Sequence, residues 1–236
     1  MLLGSAGLSS AADVQKARAA MKRGDLKVAL RELRPLAEQG DADAQYLLGY
    51  SYAKGEGVPQ NHKAAAKWFR LSAVQGNARA QASLGLMYDA GKGVPQDPKA
   101  AAKWYRLAAE QGSAGAQTNL AVMYHAGQGV PQDFKAAVTW YRLAAAQGIA
   151  KAQLSLGVLY REGKGVPQDY KAAVKWYRLA AEQGHVQAQA VLSTVYSLGR
   201  GVPQDYIYAH MWANLAAASG YKNAVELRDL LAKDMT

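Results

Sequence analysis

Several sets of side chains in this sequence are of types that do chemistry. Carboxylates stand at Asp97, Asp133, Asp169 and Asp205, one every 36 residues, with Asn61 at the equivalent place upstream. They could serve as general acids or bases. Asn61 has no proton to exchange, however, and Asp and Asn replace each other freely as helix N-caps, so the column is read as capping. Glycine pairs at Gly55/Gly57, Gly91/Gly93, Gly127/Gly129, Gly163/Gly165 and Gly199/Gly201 suggest a phosphate cradle. They lack the third glycine and the strand of a dinucleotide loop, and Val-Pro follows where a phosphate loop has lysine and a hydroxyl. They are read as loop geometry. His62, His125, His185 and His210 fall at different places within the period, whereas a metal needs several convergent ligands. Glutamines at Gln45, Gln81, Gln117, Gln153 and Gln189 share a buried face, where an amide needs partners. A neighbouring loop carbonyl or amide is expected to supply them. With no cysteine in the chain and no Ser-His-Asp set, no catalytic residue, metal ligand or cofactor is expected.

The elements that place these residues follow from the same period. Val-Pro-Gln begins at Val58, Val94, Val130, Val166 and Val202, and tryptophans stand at Trp68, Trp104, Trp140, Trp176 and Trp212, all 36 residues apart. A shared fixed period of this length means a stacked array. Within residues 77–112, Ala78, Gln81, Leu84, Gly85 and Tyr88 lie on one helical face. Gly91 ends that helix and Pro95 prevents its continuation. Asp97 then caps a second helix, with Pro98 at its first position, and Gly112 closes the unit. Each unit therefore reads as a helix pair, here called A and B, and no alternating run predicts a strand. Small residues on the packing faces allow close backbone approach, and one pair cannot bury its aromatic face alone.

The resulting division is an uncharged segment 1–12 and an atypical N-terminal helix pair 13–40 broken at Gly24-Asp25. Five full units follow at 41–76, 77–112, 113–148, 149–184 and 185–220, and then a closing helix within 221–236. Half of the 236 residues are hydrophobic and 19% are charged, which excludes a disordered polyelectrolyte. No apolar run is long enough to span a bilayer, so no integral membrane segment is expected.

The pattern Ala-x-Ala-Gln-x-x-Leu-Gly-x-x-Tyr-x-x-Gly-x-Gly-Val-Pro-Gln-Asp-x-x-Lys-Ala-Ala-x-x-Trp-Tyr-Arg resembles the Sel1-like repeat, a relative of the tetratricopeptide repeat. The resemblance covers residues 41–220. It implies an all-α, right-handed α/α superhelical solenoid of tandem helix-turn-helix repeats, with A helices on the concave side. It also implies a non-catalytic scaffold or adaptor in signalling, secretion or envelope processes. Cysteine-rich relatives are linked to β-lactam hydrolysis or penicillin binding, and this chain lacks their cysteine pairs.

A partner is expected where the repeats disagree, because columns that hold the stack must recur. Three A-helix columns differ from unit to unit: Asp43, Arg79, Gly115, Lys151, Gln187; Leu47, Ser83, Asn119, Ser155, Val191; and Tyr50, Leu86, Val122, Val158, Thr194. They step by four and three and so share a face, with Tyr46 and Leu154 beside it. The expected site is a concave groove for an extended peptide or partner helix. Asp43, Tyr46, Leu47 and Tyr50 stand at its N-terminal end and Arg79, Ser83, Asn119, Lys151 and Ser155 beyond. The net charge of +10 leaves open a second reading, a module for an anionic polymer or cell-wall component. A third, hydrolysis of a β-lactam or cell-wall amide, lacks a nucleophile. The basic columns Lys63, Lys99, Lys135, Lys171 and Arg70, Arg106, Arg142, Arg178 read as a solvated outer stripe, and no nucleic-acid motif is present. The oligomeric state is not encoded in the pattern. Residues 1–12 end in small residues, with Ser10 and Ala12 arranged as at a signal-cleavage site. The expectation is a truncated secretory signal and a bacterial periplasmic location, the alternatives being a frayed terminus and a cytoplasmic protein.

Overall fold

The computed structural model describes residues 5–234. Among them are thirteen α-helices and no strand. The first is α1 (Ser5–Lys22), paired with α2 (Leu26–Glu38). The repeats supply A and B helices in turn: α3 (Ala42–Lys54) and α4 (His62–Val74), α5 (Ala78–Ala90) and α6 (Pro98–Glu110), α7 (Ala114–Ala126) and α8 (Phe134–Ala146). They continue with α9 (Ala150–Glu162) and α10 (Tyr170–Glu182), α11 (Val186–Leu198) and α12 (Tyr206–Ala218), and end at α13 (Lys222–Asp234). The architecture is the all-α solenoid of tandem helix-turn-helix repeats expected from the sequence. The first helix starts upstream of the expected boundary at residue 13. Of segment 1–12, residues 1–4 lie outside the described residues. The chain forms two compact units, one ending at Ala116 and the other beginning at Gln117.

Local chemistry fixes the helix ends. Asn61, Asp97, Asp133, Asp169 and Asp205 each accept a hydrogen bond from the backbone N–H three residues on, so the column caps the B helices. Asp133 also accepts from Lys135 N. Loop glutamines Gln60, Gln96, Gln132, Gln168 and Gln204 donate to the carbonyl seven residues earlier, at 2.8–2.9 Å. Gly93 has a positive φ of 74°, which a side chain would strain. A Cβ there would also strike the carbonyl of His62 at the start of α4. Gly165 and Gly201 abut Phe134 and Tyr170 in the same way. The second glycine of each of these loops thus seats one repeat on the backbone of the one before.

Within each repeat, a B-helix ring fills the gap left by a small A-helix residue. A Cβ on Gly85 would lie 2.7 Å from the Tyr105 ring, and Gly49 and Gly157 meet Phe69 and Tyr177 likewise. In the last repeat these positions hold Ser193 and Ala213, both fully buried. There Trp212, rather than the next residue, carries the ring into the core. Size is thus matched across the pair, as a close-packed interior requires.

The glutamine column forms a ladder between repeats. The side chains of Gln45, Gln81, Gln153 and Gln189 donate to the carbonyls of Ala37, Ala73, Ala145 and Ala181, near the ends of the preceding B helices. The Oε1 atoms of Gln45, Gln81, Gln117 and Gln153 accept from Gln75, Gln111, Gln147 and Gln183 at 2.7–2.8 Å. Ser219 replaces that donor in the last repeat, and Gln189 Oε1 is left without a partner. The arginine column corrects one expectation. Arg142 and Arg178 donate to the hydroxyls of Tyr160 and Tyr196 on the next A helix, at 2.6 and 2.7 Å, and Arg70 engages Tyr88. These guanidiniums tie repeats together as well as facing solvent.

Asp133→Ala removes the acceptor for two N–H groups and is expected to lower stability by about 1 kcal/mol. Gly93→Ala is expected to cost more, at least about 2 kcal/mol, because strain and a backbone clash coincide. Urea unfolding followed by circular dichroism measures both, and equal small effects would contradict the seating role of Gly93.

Candidate partner-binding faces

In the N-terminal unit, α1, α3 and α5 enclose a cleft of about 290 Å³. Tyr46, Leu47, Tyr50 and Arg79 line it, so four of the residues expected at a binding face do come together. Leu47 belongs to the core and exposes only one edge, at 8%. Tyr46 is half-buried with its ring 5.8 Å from Phe69, and burial pushes its phenol pKa up. Asp43 plays a supporting part. Its carboxylate accepts from Arg18 at 2.8 Å and from Asn77 at 2.9 Å. Ser83 lines a second, larger cleft of about 660 Å³, which shares Tyr50 with the first and includes Lys54, Leu86 and Lys92.

Sequence reasoning missed the α1 contribution to the first cleft. Arg18, Met21 and Lys22 form its remaining wall. They are spaced three and four apart on one helical face, which was legible. The helix pair 13–40 lacks the repeat columns, however, so it was read only as a cap.

In the C-terminal unit, Ser155 lines a cleft of about 300 Å³ with Val122, His125, Tyr141, Leu154 and Val158. The Ser155 hydroxyl lies beside that of Tyr141, whose pKa burial raises and Ser155 lowers. A neighbouring cleft of about 370 Å³ includes Leu154, Val158, Val191 and Leu227. Neither is lined by Lys, Arg, Asp or Glu. Lys151 is exposed on α9 and Asn119 half-buried on α7, and neither is among the lining residues of these two clefts. On the B-helix side, α12 carries Ile207 and Met211 where α10 has Lys171 and Lys175. Both are exposed, at 71% and 40%, so the basic stripe turns apolar there. The column change was visible in the sequence, but B helices were read as uniformly solvated.

No group of three or more His, Cys, Asp or Glu side chains able to hold a metal exists among the described residues. None of the described helices is long and apolar enough to cross a membrane. The Tyr177 phenol is strongly perturbed. Burial raises its pKa to about 12, and its hydroxyl has no hydrogen-bond partner.

The Tyr177 site yields a pH prediction. The unfolded chain ionises this phenol near its ordinary value while the folded chain holds the proton, so the unfolded state binds fewer protons in that range. Stability is expected to fall as pH rises from about 10 to about 12. Tyr177→Phe should flatten that decline without loss of stability at pH 7, since Phe69 occupies the same column naturally. Burial raises the Tyr141 phenol as well, so Tyr141→Phe should flatten the decline in the same direction. Denaturant unfolding at several pH values checks both, and a destabilised Tyr177→Phe at pH 7 would contradict the reading.

Comparison with known proteins agrees with this geometry. The sequence model of the Sel1 repeat matches residues 42–77, 78–113, 114–149, 150–185 and 186–221. No curated protein matches the chain. Among solved structures, a protective antigen of uropathogenic Escherichia coli with an SLR fold is 36% identical, with a TM-score of 0.87 over 91% of this chain. This chain spans about half of that protein, 47% of its length. A Sel1 repeat protein from Oxalobacter formigenes is 35% identical, with a TM-score of 0.85 over 92% of this chain and 86% of its own. With five repeats matched in register and these two structural relatives, the chain belongs to the Sel1 repeat family.

Proposed function

We propose that the chain is a non-catalytic interaction scaffold that binds a polypeptide, extended or helical, on its A-helix faces. One observation carries this reading. The clefts are lined by A-helix columns that change from repeat to repeat, such as Tyr50, Leu86, Val122 and Val158. The columns that recur, the Asp caps, the glutamine ladder and the loop glycines, are occupied in holding the stack. Clefts of this kind offer apolar pockets with a few polar anchors, as peptide-recognising grooves do.

The setting proposed is the bacterial envelope, with the chain acting as a periplasmic adaptor. Small residues at Ser10 and Ala12 and the bacterial origin of the structural relatives support it. A second reading, binding to an anionic polymer, is favoured by one feature, the exposed lysine column Lys63, Lys99, Lys135 and Lys171 on the B helices. Salt separates the two. A polyanion complex weakens steeply as screening increases, whereas a peptide seated on apolar surface responds less.

The test is crosslinked affinity capture from the native host with wild type and the Arg79→Glu, Lys151→Glu double variant. Both residues are exposed, so helicity should be unchanged. A partner protein captured by wild type and lost from the variant is the expected result. The same partner set retained by both would remove the A-helix faces as the site.

A further inference from the structure

The cleft between α1, α3 and α5 brings three cations into about 290 Å³, whereas the neighbouring cleft of this unit spreads Lys54 and Lys92 over about 660 Å³. Arg18, Lys22 and Arg79 reach it from two helices, α1 and α5. The carboxylate nearest to them, that of Asp43, is already engaged by Arg18 and Asn77. Arg18 Nε is buried and has no hydrogen-bond partner, so the guanidinium keeps an unsatisfied donor beside the cleft.

Beneath the cations lies an apolar floor of Met21, Leu47, Tyr46 and Tyr50. Desolvation raises the Tyr46 phenol here, which marks a site where charge pairs are less screened than in open water. Two clefts of the C-terminal unit have apolar walls and no charged lining, and a third, of about 150 Å³, carries Arg161 and Arg200, of which Arg161 is paired with Glu162. At about 290 Å³ the basic cleft lies at the lower end of the range for small-molecule pockets, room for one or two side chains.

From this juxtaposition we infer that the α1–α3–α5 cleft recognises an acidic side chain flanked by an aromatic or aliphatic one in a partner polypeptide. The inference rests on the polypeptide-binding reading above and names the partner chemistry. The carboxylate meets Arg18, Lys22 and Arg79, and its apolar neighbour covers the floor between Tyr46 and Tyr50. A nucleic acid fits less well. Its phosphates need a row of cations, and the regular rows here lie on the B helices (Lys63, Lys99) rather than on this cleft.

The test is panning of a phage-displayed library of random dodecapeptides against the full chain, with sequencing of the enriched clones. A control selection uses the Lys22→Gln, Arg79→Gln double variant. Both residues are exposed and circular dichroism verifies its helicity. Enriched peptides should pair Asp or Glu with an aromatic or aliphatic neighbour and should be lost on the variant. Synthetic peptides from that set should bind about tenfold more weakly when their acid is replaced by its amide.

Enriched peptides without acidic bias, or enrichment unchanged on the variant, would overturn the inference. If such peptides are apolar and are lost on Leu154→Asp, polypeptide binding stands and only the acidic specificity falls. If no peptide is enriched while a labelled twelve-residue oligothymidine binds with a steep salt dependence, both readings fall and the surface is one for a polyanion.

Discussion

Within the two units, three of the repeats are seated on their predecessors by backbone rather than by side chain. Where Gly93, Gly165 and Gly201 meet the first turns of α4, α8 and α10, there is no room for a Cβ. Backbone-to-backbone contact has little tolerance, because neither partner can change rotamer to relieve it. The helix pairs must therefore be of one length and their loops of one shape. The glutamine ladder then closes the same seam in polar terms. It satisfies helix-end carbonyls that would otherwise be buried and unpaired. The Arg–Tyr bonds add a third tie at the surface.

Those ties divide the residues into two populations. Side chains fixed by the seam cannot vary without weakening two repeats at once. Side chains on the cleft-forming part of the A helices lie outside that seam, and there Tyr50, Leu86, Val122 and Val158 succeed one another, three of them half-buried against the core with an edge left in a cleft. The two units end with different A-helix surfaces. One has three cations over an aromatic floor, the other two clefts lined by Leu and Val with His125 and Ser155 at their edge and a smaller pocket that holds Arg161 and Arg200. The stack thus acts as a frame on which surface chemistry changes while the seam stays the same.

Most of the frame was legible because its causes are local and periodic. N-caps, glycine stops and the helix pairs depend on residues within a few positions, and the 36-residue period repeats each signal five times. What escaped depends on contacts between elements. The guanidinium of Arg142 looks solvated along the sequence, since its partner Tyr160 lies on the next A helix. The Arg18–Asp43 bond joins residues 25 apart in sequence through a helix pair that shares no columns with the repeats. For that reason Asp43 was expected to meet a partner directly, and Arg18 and Lys22 were not expected at all. The Ser193/Ala213 exchange, by contrast, was present in the columns, but reading it needs knowledge that the two positions touch.

The shared seam also bears on how such a chain changes length. A residue inserted into one loop would lift its glycine off the helix beneath, and the amide ladder above would lose register. An exchange between gene copies offset by one whole period would keep seams like those at Gly93 and Gly165, because the residues that form them recur at that period. A change of length is therefore expected in steps of 36 residues, and each added unit would bring another A-helix surface outside the seam.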